Sequence, residues 1–146
     1  MSEKRDTFEF LEHTADIYIA AHGRTLEEAF ENAALATFET MTNTKKVTPQ
    51  HEETVNVEGH DVKELLYNWL EALLVQFETT EKLYSKFRIT CLQKVKRGYK
   101  LQAKILGEKF NPKKHLGKVG VKAITYHKME IIKTPYRVTA KFVLDI

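Results

Sequence analysis

Residues 17–41 read IYIAAHGRTLEEAFENAALATFETM, and the change of pattern inside this stretch decides the fold. Ile17-Tyr18-Ile19-Ala20-Ala21 is an apolar run of strand length, and Gly23 breaks it. Thr25-Leu26-Glu27-Glu28 then fits a capping box, in which a hydroxyl and a carboxylate satisfy the orphaned backbone donors of a first helical turn. Leu26, Ala29, Phe30, Ala33, Ala34, Thr37, Phe38 and Met41 recur at spacings of three and four, which lines them along one side of a helix. A strand therefore hands over to a helix through a glycine and a cap.

Upstream, residues 8–13 alternate apolar and polar at their start, which predicts another strand. Downstream, residues 54–58 alternate around Val55 and Val57, Gly59 ends the run, and Asp61 with Glu64 starts a second helix. Val62, Leu65, Leu66, Trp69, Leu70, Leu73, Leu74 and Phe77 form its stripe, read as a surface packed on a sheet and not as a cofactor box. Beyond Lys82, Phe87, Ile89 and Cys91 alternate, Lys96-Arg97-Gly98 turns, and Leu101, Ala103 and Ile105 alternate again: a β-hairpin with Cys91 as a small core residue. Further strands are expected over 119–125, 129–132 and 136–144, the last with Val138, Ala140, Phe142 and Leu144 on one face. Helices early and strands late predict an α+β fold, two helices packed on a mainly antiparallel sheet. No internal repeat, low-complexity run or Gly/Ser linker interrupts the 146 residues, so a single domain over 1–146 is expected.

Composition narrows the class. With 42% hydrophobic and 29% charged residues, the chain has the apolar surface a folded core requires. Its 23 Lys and Arg against 20 Asp and Glu leave a net charge of +3, which by itself does not make a nucleic-acid binder. One cysteine excludes an intrachain disulfide and a zinc site of several thiolates. No run approaches a membrane span and Met1 to Thr7 is charged, so a soluble cytoplasmic protein is expected.

The common enzymatic signatures are absent: no Gly-rich phosphate loop, no His-Glu-x-x-His helix, no nucleophile elbow, no Cys-x-x-Cys. Three features remain. His13-Thr14-Ala15-Asp16 reads either as a turn between strands or as a site where Asp16 ligates a hard cation with His13 as a hydrogen-bonding neighbour. The stretch Phe142-Val143-Leu144-Asp145-Ile146 stays apolar to its last residue, against the fraying usual for termini. If the first turn meets the last strand, Asp16, Asp145 and an oxygen of Ile146 form an anionic oxygen cluster suited to calcium or another hard divalent cation, and poorly suited to tetrahedral zinc. The third feature runs from His115 to His127; Lys113 and Lys114 just before it, with Lys118 and Lys122 inside it, give a local cationic density, and Gly117 and Gly120 permit close approach by a ligand. It reads either as a solvated lysine-rich loop or as a binding segment. Lys122, before the apolar Ala123-Ile124, is expected to be half-buried and paired with Asp16 or Asp145.

Taken together, these residues resemble the archease family. The likeness rests on four blocks in order: Phe10-Leu11-Glu12-His13-Thr14-Ala15-Asp16-Ile17; Thr25-Leu26-Glu27-Glu28-Ala29-Phe30 continuing to Met41-Thr42; Val121-Lys122-Ala123-Ile124-Thr125-Tyr126-His127; and Leu144-Asp145-Ile146. The resemblance implies a strand-helix-strand-strand type of α+β core. It also implies a non-catalytic activity chaperone for the tRNA-splicing RNA ligase, which joins 3′-phosphate or 2′,3′-cyclic phosphate ends to 5′-hydroxyl ends. In that role the accessory promotes guanylylation of a ligase histidine by GTP and metal, permits multiple turnover and broadens nucleotide use. The family's metal ligands fall on Asp16, Asp145 and Ile146, with calcium the implied ion, and a functional lysine falls on Lys122; His13 lies in the same motif. The chain departs from the family at Tyr18, where glycine is common. RNA contact is expected to be indirect or weak, with no membrane partner. Two competing readings are a small metal-dependent hydrolase using Asp16 with His13 or His127, and an RNA chaperone binding through Lys113 to Lys122.

Overall fold

The computed structural model describes residues 7–11 and 16–146. Its elements are β1 (Phe8–Leu11), β2 (Ile17–Gly23), α1 (Leu26–Met41), a single 3₁₀ turn (Thr44–Lys46), β3 (His51–Gly59), α2 (Val62–Thr80), β4 (Lys82–Val95), β5 (Gly98–Lys109), β6 (Ala123–Lys133) and β7 (Val138–Asp145). The fold is α+β. One expectation needs correction: the strands form two sheets, of order β1-β2-β7-β6 and β3-β5-β4, with every pairing antiparallel.

The helices explain why. Each packs against both sheets, α1 on β2, β7 and β4, and α2 on β3, β5, β4 and β6. The stripe on α1 is only part of its buried surface, because Ala36, Glu39 and Thr40 are buried as well. A helix enclosed on most of its circumference needs a second layer to cover it, and its small alanines let that layer approach. The apolar cluster accordingly draws on both sheets and both helices, with Trp69, Phe30, Phe38, Phe142 and Ile105 fully buried. Trp69 Nε1–H donates to the Phe30 carbonyl across the helix pair, at 3.0 Å.

Both helix starts use the same device. Thr25 Oγ1 accepts from the Glu28 N–H, and Glu28 reaches back to the Arg24 N–H. Asp61 accepts from the Glu64 N–H, and Glu64 reaches back to the His60 N–H. The carboxylate thus grips one residue before the cap. Asn32 Nδ2 donates to the His22 carbonyl and Asn68 Nδ2 to the Glu58 carbonyl, both at 2.7 Å. Gly23 and Gly59 bring the strand ends so close that a Cβ would stand 2.4 Å from Ala29 N and 2.5 Å from Leu65 N. Gly23, Thr25, Glu28 and Asn32 therefore recur as Gly59, Asp61, Glu64 and Asn68, so β2-α1 and β3-α2 are repeats of one strand-to-helix unit. The sequence hides this because the core residues between those fixed positions differ, Ala33 standing where the second unit has Trp69.

The β4–β5 hairpin closes through Lys96 and Arg97, as its turn residues predict. Irregularities between Tyr84 and Lys86 and between Ile89 and Cys91 shift the β4 register. The second reverses the alternation, since Cys91 stands opposite Gln102 while Leu92 faces Leu101. Cys91 is consequently half-exposed on the outer face and not in the core. Strands expected over 119–125 and 129–132 are a single strand, β6, interrupted between Thr125 and Glu130, with Lys128 at φ 57°. Residues 119–122 lie outside it.

Candidate functional site

The site is built at one end of the four-stranded sheet. β2 runs antiparallel to β7 with Ile17 opposite Leu144, so Asp16, one step before Ile17, comes level with Asp145. On the other side of β7, Ala123 pairs with Asp145, and the Lys122 N–H donates to the Asp145 carbonyl at 2.8 Å. Three adjacent strands thus bring Asp16, Asp145 and Lys122 to the same sheet end. Ile146, half-buried, follows directly. Tyr18 pairs with Val143, and the Lys128 ammonium lies 5.5 Å from its ring centre, within cation–π range. His13 lies outside the described residues.

Lys122 itself is exposed, against the expectation of a half-buried lysine held by an acid. Its backbone is what the sheet fixes, and the side chain projects to solvent. The segment leading to it is anchored by the C-terminus of α1. A helix leaves its last four carbonyls without intrahelical partners, and here all four are satisfied. The Phe38 carbonyl accepts from the Thr42 N–H, the Glu39 carbonyl from Lys118 Nζ, the Thr40 carbonyl from the Val119 N–H and the Met41 carbonyl from the Lys118 N–H. Lys118 also supplies the positive charge favoured at that end of the helix dipole, in a last turn that has no basic residue of its own.

Two of the four lysines in this segment are held in ion pairs. Lys118 Nζ lies 2.7 Å from Glu39 Oε2, and Lys114 Nζ 2.6 Å from Glu108 Oε2. Burial opposes ionisation of Glu39, but Lys118 and the Thr44 hydroxyl and N–H outweigh it and hold its carboxyl below the usual range. Glu108 is likewise penalised by burial. Hydrogen bonds from Lys114, the Thr48 N–H and His115 nevertheless hold its carboxyl at about 2. His115 is buried: its Nδ1 accepts from the Asn111 N–H, so its proton is on Nε2, directed at Glu108 2.8 Å away. That histidine closes the loop. A Cβ at Gly117 or Gly120 would meet nothing within 4 Å, so packing within the chain does not require either glycine. His127 is exposed in the irregular part of β6. Beside Lys122, the same segment lines an apolar hollow of about 280 Å³ with Met41, Phe77, Leu83 and Phe110.

The oxygen chemistry at the sheet end suits a hard cation, with carboxylates from Asp16 and Asp145 and an oxygen from Ile146. The thiol of Cys91 is on the other sheet. Among the described residues no group of three His, Cys, Asp or Glu side chains gathers to hold a metal, so any such ion also needs main-chain oxygens or water. Sequence reasoning missed Glu39 and Glu108, the anchors of the lysine segment. Neither carries a local signal, because their partners lie far along the chain or across the loop.

A family model described as Archease protein family (MTH1598/TM1083) matches residues 8–146. The chain belongs to the archease family. Protein archease of Sulfurisphaera tokodaii is 48% identical over 139 residues, 95% of this chain and 98% of that one. Protein archease of Methanosarcina mazei is 39% identical over 146 residues, 100% of both chains. The solution structure of Methanobacterium thermoautotrophicum protein 1598 superposes with a TM-score of 0.86 at 39% identity, covering 97% of this chain and 99% of that one. The crystal structure of a Thermotoga maritima archease, described as a possible chaperone, shares the fold at a TM-score of 0.59 and 16% identity, covering 94% of this chain and 96% of that one. The archease resemblance read from the four sequence blocks is thereby borne out, as is the α+β class. No helix among the described residues is long and apolar enough to cross a membrane.

Proposed function

We propose that this archease activates the tRNA-splicing RNA ligase that joins 3′-phosphate to 5′-hydroxyl ends, acting in the cytoplasm without catalysing the reaction itself. It promotes guanylylation of the ligase and so permits multiple turnover, and it broadens nucleotide use. The observation that supports this reading is the meeting of Asp16, Asp145 and Lys122 at one sheet end in a chain of this family.

Asp16, Asp145 and an oxygen of Ile146 would hold calcium or another hard divalent cation, whose charge attracts phosphate oxygens when bound. The protein's own part is positioning. β7 fixes Asp145 between its two neighbours, and the exposed Lys122 extends from a pinned backbone toward the ligase, with His13, of the same sequence motif as Asp16, assigned a hydrogen-bonding role. Charges held in place before the reaction cost no reorganisation during it, which is how an accessory can accelerate another enzyme's step.

The test is a multiple-turnover ligation with purified ligase, with and without this chain. Turnover is expected to rise with wild type and not with a folded Asp145→Ala variant. Equal turnover with the two proteins would remove the sheet end from the mechanism. Calorimetry tests the ion separately: wild type is expected to bind calcium and Asp16→Ala to bind it weakly, and equal binding would overturn the ligand set.

A further inference from the structure

The net charge of +3 conceals a segregation. Residues 1–81 hold 6 Lys and Arg against 17 acids, whereas residues 82–122 hold 13 Lys and Arg and a single acid, Glu108. Nine of those 13 are in the β4–β5 hairpin. Its buried face carries Phe87, Leu101, Ala103 and Ile105, so alternation turns Lys86, Arg88, Lys100 and Lys104 outward, away from the helices. Arg88 and Lys104 share Glu52 on β3. Lys86 and Lys100, and Lys96 and Arg97 at the hairpin tip, are exposed and have no ion-pair partner among the described residues.

From Lys86 to Arg97 the stripe runs for about 35 Å at the usual strand rise. Between the cations lie Thr90, Gln93 and Gln102, which are hydrogen-bonding but uncharged. The outward face has no aromatic side chain, and its larger apolar residues are only Leu106 and, at the tip, Val95, at opposite ends of the hairpin. A protein interface of useful affinity needs an apolar or aromatic centre, which this face lacks. A row of unpaired cations with polar side chains between them is what contacts a sugar-phosphate backbone, and the want of aromatics precludes base stacking.

We infer that the outer face and tip of the β4–β5 hairpin bind the sugar-phosphate backbone of a nucleic acid without sequence preference. The site is distinct from the lysine segment 113–122, two of whose lysines are occupied by Glu39 and Glu108. It is also distinct from the Asp16–Asp145 sheet end, and it stands or falls without the ligase.

The experiment is fluorescence anisotropy of the full chain with labelled oligouridylate and oligothymidylate of about 20 nucleotides, titrated over a range of salt. With four unpaired cations engaged, log K is expected to fall with log salt at a slope of about −3. Lys86→Glu with Lys100→Glu, and independently Lys96→Glu with Arg97→Glu, should each weaken binding at least about tenfold at low salt and reduce the slope by about 1 to 1.5. Lys45→Glu with Lys46→Glu makes the same change of net charge elsewhere and should have a much smaller effect. Circular dichroism confirms that each variant is folded, and two separate pairs guard against one misfolding. Absence of binding at low salt would overturn the inference, as would equal weakening by the Lys45 and Lys46 control. Displacement of the oligonucleotide by polyglutamate of equal charge would also overturn it, because the face would then suit an acidic protein surface.

Discussion

Lys118 and Glu39 meet at 2.7 Å although 79 residues separate them, and Lys118 also donates to the Glu39 carbonyl. The pair joins the C-terminus of α1 to the segment that ends in Lys122. Glu39 is 5% exposed, so removing Lys118 takes a cation away from a carboxylate that solvent barely reaches, leaving the Thr44 hydroxyl and N–H on its other oxygen. Lys118→Met is therefore expected to cost about 2 kcal/mol, less than a fully buried pair because Lys118 itself is partly solvated. Adding Glu39→Gln should recover part of that loss, since the buried charge that Lys118 balanced is gone. Urea unfolding of the two singles and the double variant measures the coupling, expected at about 1–2 kcal/mol.

At Lys122 the backbone and side chain have separable roles. The N–H bonds the Asp145 carbonyl while the ammonium is exposed. Lys122→Ala should leave stability within about 0.5 kcal/mol of wild type yet reduce ligase activation. Lys122→Pro removes the donor and should lower stability by about 1–3 kcal/mol. Thermal denaturation alongside the ligation assay separates the two effects. A normal activation with Lys122→Ala would confine the residue to its backbone role.

Acid should weaken the loop closed by Glu108. Burial acts against ionisation of that carboxyl, but Lys114, the Thr48 N–H and His115 bring it to about 2 from an ordinary value of 4.5. A carboxyl depressed in the folded state contributes stability that is complete above pH 4.5 and is lost as pH falls toward 2. Glu108→Gln is then expected to be less stable than wild type by about 1–3 kcal/mol at neutral pH, with the gap closing as pH drops through that window. Urea unfolding at several pH values, followed by the fluorescence of the single tryptophan, Trp69, reads the difference directly.

The parts of the fold that were legible are those set by neighbours in the chain. Thr25 with Glu28 and Asp61 with Glu64 declare both helix starts, and Lys96-Arg97-Gly98 declares the hairpin turn. The second sheet was not legible, because Ala36, Glu39 and Thr40 look like the open side of α1 until another layer is known to cover them. At the candidate site, the likeness to a family singled out Asp16, Asp145 and Lys122. Their proximity depends on β2 and β6 flanking β7, a pairing no local pattern specifies. Lys118 reads in sequence as one of a cationic group, since nothing near it reveals Glu39.

The repeated strand-to-helix unit makes a paired prediction. Ala at position 23 would place its Cβ 2.4 Å from Ala29 N, and Ala at position 59 would place it 2.5 Å from Leu65 N. Both contacts are with backbone, so neither can be relieved by a side-chain rotation. Gly23→Ala and Gly59→Ala should each cost about 1–3 kcal/mol or more. Asn32→Ala and Asn68→Ala should each cost about 1 kcal/mol by freeing the carbonyl that the amide satisfies. Matched losses in chemical denaturation are expected if the two units are equivalent, and a loss at only one glycine would show that the other strand end can yield.

Cys91 tests the irregularity in β4. Were alternation unbroken from Phe87 through Ile89, the thiol would face the core and react only on unfolding. With the register shifted between Ile89 and Cys91, it lines a hollow of about 380 Å³ with Asn56, Glu58, Lys100 and Gln102. Native protein is therefore expected to react with an aromatic disulfide reagent in one step, without denaturant and before any loss of Trp69 fluorescence. Because Lys100 and Gln102 share the hollow, bound oligonucleotide should slow that reaction if the outer face is where the backbone lies. Protection of the thiol in the free protein would instead put Cys91 inside and restore an uninterrupted strand.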